Sequence, residues 1–177
     1  PIRPDYAVVM EGGAGSTVCR GHNGVVWLEV TVHGRAAHGS NPRAGINALE
    51  KMSALVVGLE EYKRRLERRS FVTPEGVTMH PTINVGGVFS AGPGGKINTV
   101  PALATFSIDR RVLAIENHAA AERELRVVLA ATARQIPDCR ITVAKTSENF
   151  ACFTPPKHPF FAAAADSVTR VRRKPTT

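Results

Sequence analysis

The apolar positions of this chain change period several times, and each change marks an element. From Val25 to His33 they alternate. Val26, Leu28, Val30 and Val32 share one face, and Trp27, Glu29, Thr31 and His33 share the other. That pattern predicts a half-buried strand with one face free for another layer. A short apolar run over 5–10 predicts a strand ending at Glu11, followed by the Gly12-Gly13-Ala14-Gly15 break. Asn23-Gly24 is a hairpin turn signal, so residues 17–21 are expected to pair with 25–33. Beyond Gly34–Arg43, a polar loop, the period becomes helical. Leu49, Met52, Val56, Leu59, Tyr62 and Leu66 predict one long amphipathic helix over 44–68, with Asn41 as cap and Pro42 at its start. Residues 70–81 read as loop, and strands follow over 82–89 and 102–112, joined by the Gly- and Pro-rich stretch 90–101. A second helix is expected over 117–135, a strand over 138–146, and a short helix over 160–170 after Thr154-Pro155-Pro156.

Residues 24–146 therefore read β-α-β-β-α-β. The compact solution to that order is a ferredoxin-like α/β sandwich, a four-stranded antiparallel sheet with two helices on one face. The chain has 177 residues and begins at Pro1 rather than Met, so a fragment of a longer protein is expected. Residues outside the sandwich are expected to belong to a neighbouring domain.

Composition narrows the class without choosing a function. With 43% hydrophobic and 21% charged residues the chain is globular, and no apolar run approaches the roughly 18–20 residues of a membrane span. Cys19, Cys139 and Cys152 include no Cys-x-x-Cys pair, which favours free thiols and a cytoplasmic location over a disulfide framework. The net charge of +8 is concentrated in Lys63–Arg69 and Arg170–Lys174. Basic runs can follow a phosphate backbone. Neither run is interleaved with aromatics, so solvated helix ends explain them as well.

Several motifs invite chemistry and fail on detail. Gly92–Lys96 lacks the Ser or Thr that a phosphate loop needs after its Lys, and Glu11–Gly15 lacks a helix-opening context. Glu60-Glu61 lies among Lys63, Arg64 and Arg65 and reads as solvated helix charge. Three other positions stay open. His38, in a loop of small residues, is either a ligand-facing donor or an exposed loop histidine. Glu11, at the carboxyl end of an apolar strand, occupies a common ligand position, although one carboxylate does not make a metal site. Arg111 shares a strand face with Asp109, so its guanidinium either meets a ligand carboxylate or is held in an internal ion pair.

Four stretches, taken in order, resemble one family. They are Tyr6–Gly12, Val32–Pro42 (VHGRAAHGSNP), Gly94–Pro101 (GGKINTVP) and Asp109-Arg110-Arg111. Together they resemble the zinc-dependent exopeptidase and deacylase superfamily, which includes acetylornithine deacetylase, succinyl-diaminopimelate desuccinylase, aminoacylase and carboxypeptidase G. The resemblance implies that residues 23–148 are its inserted dimerisation, or lid, domain. Residues 1–22 would end a catalytic-domain segment, and 149–177 would return towards it. It also implies a homodimer, a parent amidohydrolase with two zinc or cobalt ions, and a small N-acyl amino acid or peptide as substrate. Glu11 would be a metal ligand. His38 would stabilise the oxyanion in the partner's active site, and Asn98 and Arg111 would bind the substrate carboxylate, also across the dimer. Imidazole, amide and guanidinium are hydrogen-bond donors, as those roles require. The remaining metal ligands would lie on flanking sequence, so this chain alone is expected to be inactive and to bind no metal stably. The competing reading is a non-catalytic interaction module or a basic nucleic-acid-binding module of the same fold. The Lys/Arg-Gly-Phe framing of RNA-binding strands is absent around Phe89 and Phe106, which disfavours a nucleic-acid partner.

Overall fold

The computed structural model describes residues 3, 6–8, 18–74, 76–92 and 95–173. It divides into two units, Asn23–Ala151 and a smaller one formed by Pro1–His22 with Cys152–Thr177. In chain order the elements are β1 (Gly21–His22), β2 (Gly24–His33), β3 (Ala37–His38), α1 (Ala48–Gly58), α2 (Glu60–Glu67), β4 (Phe71–Val72), β5 (Thr78–Met79), β6 (Thr82–Ser90), β7 (Thr99–Val100), β8 (Leu103–Val112), α3 (His118–Gln135), β9 (Arg140–Asn149), β10 (Cys152–Phe153) and α4 (Pro159–Arg172).

The larger unit is mixed α/β. Its sheet has the order β6-β8-β2-β9 with every neighbouring pair antiparallel. β2 and β8 pair along their whole length, from Gly24 opposite Val112 to His33 opposite Leu103. Alternation then sorts the side chains. Val26, Leu28, Val30 and Val32 of β2 join Ala104, Phe106, Ile108 and Val112 of β8 in one buried layer. Met52 and Leu55 of α1, Tyr62 and Leu66 of α2, and Leu125 and Leu129 of α3 close over that layer. Each fully buried leucine or valine contributes about 1.5–3 kcal/mol of transfer free energy, so this layer is the main source of cohesion. α1 starts where the Asn47 side chain accepts from the N–H groups of Leu49 and Glu50, and α3 where Asn117 accepts from Ala120 N–H. Gly58 lets α1 approach α3 closely, because a Cβ there would collide with Thr132.

Among the described residues, one charged side chain lies inside this core. Arg110 alternates inward between Ile108 and Val112 and is 0% exposed. Its Nη2 donates to Glu116 Oε1 at 2.7 Å and its Nη1 to the carbonyl of Arg111, while Nε has no partner. Glu116 also accepts from Leu113 N–H at 2.9 Å and from Arg69 at 3.4 Å. Arg69 continues to Glu124. Burial pushes the Tyr62 phenol above its usual 10.0, against the pull of the nearby Arg110. The Tyr62 hydroxyl nonetheless makes no hydrogen bond of acceptable geometry.

Several expectations are corrected. Asn23-Gly24 is not a hairpin turn: β1 pairs with β10, and β2 pairs with β8 and β9. The favoured two-residue turn needs φ > 0, which Gly24 does not have. Gly24 instead runs close beside Asn149 O and Ala151 N, where a Cβ would come within 2.9 and 2.8 Å. The single helix expected over 44–68 is two, broken at Leu59, and Asn47 rather than Asn41 is its cap. Asn41 and Pro42 open a 3-10 turn over Pro42–Ala44. The 70–81 loop contains the small β4–β5 ladder, and the 34–43 and 90–101 loops meet as β3 and β7. The expected 5–10 strand falls mostly outside the described residues, and Tyr6–Val8 carry no strand.

In the smaller unit β1 and β10 form an antiparallel ladder, with Gly21 opposite Phe153 and His22 opposite Cys152. The Arg20 guanidinium lies over the rings of Phe153 and Phe161. Tyr6 stacks on Phe160 with ring centroids 4.5 Å apart.

Candidate functional site

His38 and Asn98 come together because two Gly-bearing loops pair with each other. β3 and β7 are antiparallel, with His38 opposite Thr99. One residue further on, Gly39 N–H donates to the Asn98 carbonyl at 2.6 Å. A Cβ on Gly39 would stand 3.0 Å from that oxygen, so a larger residue would push the loops apart. Gly34 anchors the same loop. Its N–H donates to Ala102 O, and a Cβ there would collide with the Ile46 carbonyl.

The His38 ring is held in one tautomer. Ser40 N–H donates to Nδ1 at 3.2 Å, and a backbone N–H can only donate, so Nδ1 is the acceptor. The Ser40 hydroxyl lies 2.8 Å from the same nitrogen. In the neutral ring the proton is therefore on Nε2, which has no partner among the described residues. The Asn98 side chain is likewise exposed and has no hydrogen-bond partner among the described residues. The two loops thus carry two exposed donors on neighbouring stretches of backbone.

Arg111 stands elsewhere. On β8 it lies opposite Val25 of β2 and Thr82 of β6, at the far end of the sheet from Leu103 and the β3–β7 pair. Eight residues of strand separate Arg111 from Leu103, roughly 25 Å at the rise of a β-strand. Its Nε and Nη2 donate to Asp109 Oδ2 at 3.1 and 2.8 Å, Nη1 has no partner among the described residues, and the side chain is 45% exposed. Asp109 Oδ1 has no partner. The internal ion pair is thus present, and it leaves the guanidinium able to donate outward. Within one chain the structure pairs the loops that carry His38 and Asn98 and does not bring Arg111 to them.

Glu11 and Gly94 lie outside the described residues. Among the described residues no group of three or more His, Cys, Asp or Glu is arranged to hold a metal ion. No described helix is long and apolar enough to cross a membrane. The basic run on α2 is largely neutralised in place, with Lys63 on Glu60 at 2.5 Å and Arg64 on Glu61 at 3.0 Å. The Arg64 hydrogen bond holds the Glu61 carboxyl below its usual range.

Sequence reasoning passed over Trp27, which lies on the same open sheet face as Arg111 and is 44% exposed. The available signal was an indole among Glu29, Thr31 and His33 on the polar face of an alternating strand. It also passed over the β3–β7 pairing, since a two-residue ladder has no periodicity to read.

The comparisons agree with this architecture. Residues 20–137, more than half of the chain, match the model of the peptidase dimerisation domain. The chain is 33% identical over 96 residues to acetylornithine deacetylase of Aliivibrio salmonicida, covering 54% of this chain and 25% of that protein. It is 30% identical over 112 residues to the Proteus mirabilis enzyme of the same name, covering 63% and 28%. It thus spans about a quarter of the length of the curated relatives it matches. Among solved structures, an aminopeptidase from Bacillus cereus superposes with a TM-score of 0.61 at 16% identity, over 94% of this chain and 40% of that one. A tripeptidase from Staphylococcus aureus gives 0.60 at 18% identity, over 93% and 39%. At these identities the structural matches speak to the fold. With the matched residues running through the β3–β7 pair and three of the four strands of the sheet, β2, β6 and β8, the chain belongs to the peptidase dimerisation domain family.

Proposed function

We propose that this chain is the dimerisation unit of a metal-dependent amidohydrolase acting on a small N-acyl amino acid or peptide. His38 and Asn98 would complete the active site of a partner protomer. The observation that carries the reading is the β3–β7 pairing, which brings together the loops that bear His38 and Asn98, both exposed, on a family-matched unit. The His38 ring, held by Ser40, suits the oxyanion that develops when an amide carbonyl is attacked, and the Asn98 amide would donate to the substrate carboxylate. The Nε2–H tautomer of His38 supplies such a donor without a change of charge.

The strand order supports assigning residues 23–148, within the larger unit, to the ferredoxin-like sandwich. Residues 1–22 and 149–177 would then be fringes of a catalytic domain, and free thiols at Cys19, Cys139 and Cys152 fit a cytoplasmic location. The two zinc or cobalt ions that the resemblance implies would be held mainly by flanking sequence, with Glu11 the ligand it assigns to this chain. This chain's own part would be to bind, orient and donate.

The homodimer reading is favoured by an asymmetry between the sheet edges. β9 displays Arg140, Lys145 and Glu148, the charged protection usual on an edge strand. β6 displays Val88 and Phe89, each 72% exposed, beside a bulge at Gly86. A second copy pairing antiparallel along β6 would set the His38–Asn98 end of each protomer beside the Arg111 end of its partner. One small substrate cannot span roughly 25 Å. A single site would therefore take Arg111 from one protomer and His38 with Asn98 from the other, instead of all three from one partner as the resemblance implies. In the whole hydrolase, His38→Ala should lower kcat about 100-fold or more with little change in KM. An unchanged kcat would remove His38 from the site.

A further inference from the structure

Trp27 lies in β2, an interior strand, yet it is 44% exposed while Val26 and Leu28 on either side are buried. A large indole left half uncovered in mid-sheet is not accounted for by packing. Its cross-strand neighbours on the open face are Asp109 of β8 and Ser147 of β9. β9 carries an extra residue here, Thr146, whose hydroxyl donates to the Trp27 carbonyl at 3.2 Å. Such a bulge re-aims side chains, and bulges concentrate near functional sites. Arg111 occupies the diagonal position on β8, within reach of long side chains on one sheet face. Asp109 tethers its guanidinium through Nε and Nη2 and leaves Nη1 to donate outward.

We propose that Trp27 is a specificity-determining residue paired with Arg111. Arg111 Nη1 holds the carboxylate of an amino acid or N-acyl amino acid, and the exposed indole receives its side chain, with aromatic side chains preferred. A guanidinium fixed by one carboxylate and open to another gives orientation. An aromatic surface one diagonal away gives selection by stacking area. The inference rests on the carboxylate-binding role of Arg111 in the hydrolase reading and adds what the substrate carries beside that carboxylate.

The chain has a single tryptophan, so its fluorescence reports this position alone. The test titrates the 177-residue chain with N-acetyl-L-phenylalanine, N-acetyl-L-alanine and N-acetyl-L-phenylalanine amide. The expected result is saturable change with the first and at least about fivefold weaker response with the other two. Arg111→Gln should abolish the difference between acid and amide. A linear response that is equal for all three would overturn the proposal. In the whole hydrolase, Trp27→Leu should cut kcat/KM for N-acetyl-L-phenylalanine about tenfold relative to N-acetyl-L-alanine, through KM. An unchanged ratio would overturn the role of Trp27 and leave the hydrolase reading standing. If the whole protein cleaves neither substrate, the hydrolase reading fails and the titration alone decides the role of Trp27.

Discussion

Glu116→Gln takes the anion away from a guanidinium that no water reaches. Arg110 is 0% exposed and donates to Glu116 at 2.7 Å, so the substitution leaves a buried cation without its carboxylate. Breaking a buried pair from one side costs about 3–5 kcal/mol. The amide oxygen can still accept one hydrogen bond, which puts the expected loss at the low end, about 3 kcal/mol. Arg110→Met removes the other partner with different consequences. Glu116 is 15% exposed, keeps Leu113 N–H and stays within 3.4 Å of Arg69, so it is not stranded. Methionine also fills most of the space vacated by the arginine stem. The loss should be about 1–2 kcal/mol, mainly hydrogen bonds. Urea unfolding at neutral pH, followed by Trp27 fluorescence, reads the stability of the unit that contains both residues. Glu116→Gln should therefore lower the midpoint more than Arg110→Met. A larger loss for Arg110→Met, or no loss for Glu116→Gln, would refute the view that desolvation of Arg110 dominates this network.

Gly34→Ala should cost about 2–3 kcal/mol in the same assay, because its Cβ would collide with the Ile46 carbonyl; a neutral substitution would show that the loop relaxes freely. The hydrogen bond from Arg69 holds the Glu124 carboxyl below its usual 4.5. For Glu122, burial pushes upward, but Arg126 and Lys145 outweigh it and hold that carboxyl low as well. With folded pKa values below the unfolded one, their contribution is present above about pH 4.5 and lost as pH falls through the lower folded values. The urea midpoint should accordingly fall in that acid window, and Glu124→Gln should make the fall shallower by no more than about 1 kcal/mol, since Arg69 is 41% exposed. An identical acid profile in the variant would contradict this. Lysine at both Val88 and Phe89 should convert a dimer to a 19.0 kDa monomer in sedimentation experiments, and a persistent dimer would move the interface off β6.

Long-period signals were legible in the sequence, and short contacts were not. The alternation of Val26 to Val32 and the helical spacing of Leu125 and Leu129 survive directly as the two sides of the core. Boundaries that depend on one local contact did not show. Leu59 breaks the first helix where Gly58 meets Thr132, a tertiary approach that no local pattern records. Asn23-Gly24 has the composition of a turn, but the strand before it finds its partner more than 120 residues away in β10. Asp109-Arg110-Arg111 was read correctly as alternating, with Arg110 opposite its neighbours. Its complete burial depends on Glu116, beyond the end of the strand. His38 and Asn98 were singled out by motif, and the adjacency of their loops follows from β3 and β7. The distance of Arg111 from both follows from sheet register, which the sequence does not display.

Subunit mixing of two inactive variants tests the central claim most directly. His38→Ala and Arg111→Ala forms of the whole hydrolase would be dissociated together, reassociated and assayed for amide hydrolysis. If one site draws Arg111 from one protomer and His38 from the other, each mixed dimer holds one intact site. Activity should then recover to about one quarter of the unsubstituted enzyme, because half of randomly formed dimers are mixed. If both residues serve the same site from the same protomer, no mixed dimer has an intact site. Activity no higher than that of either variant alone would contradict the account.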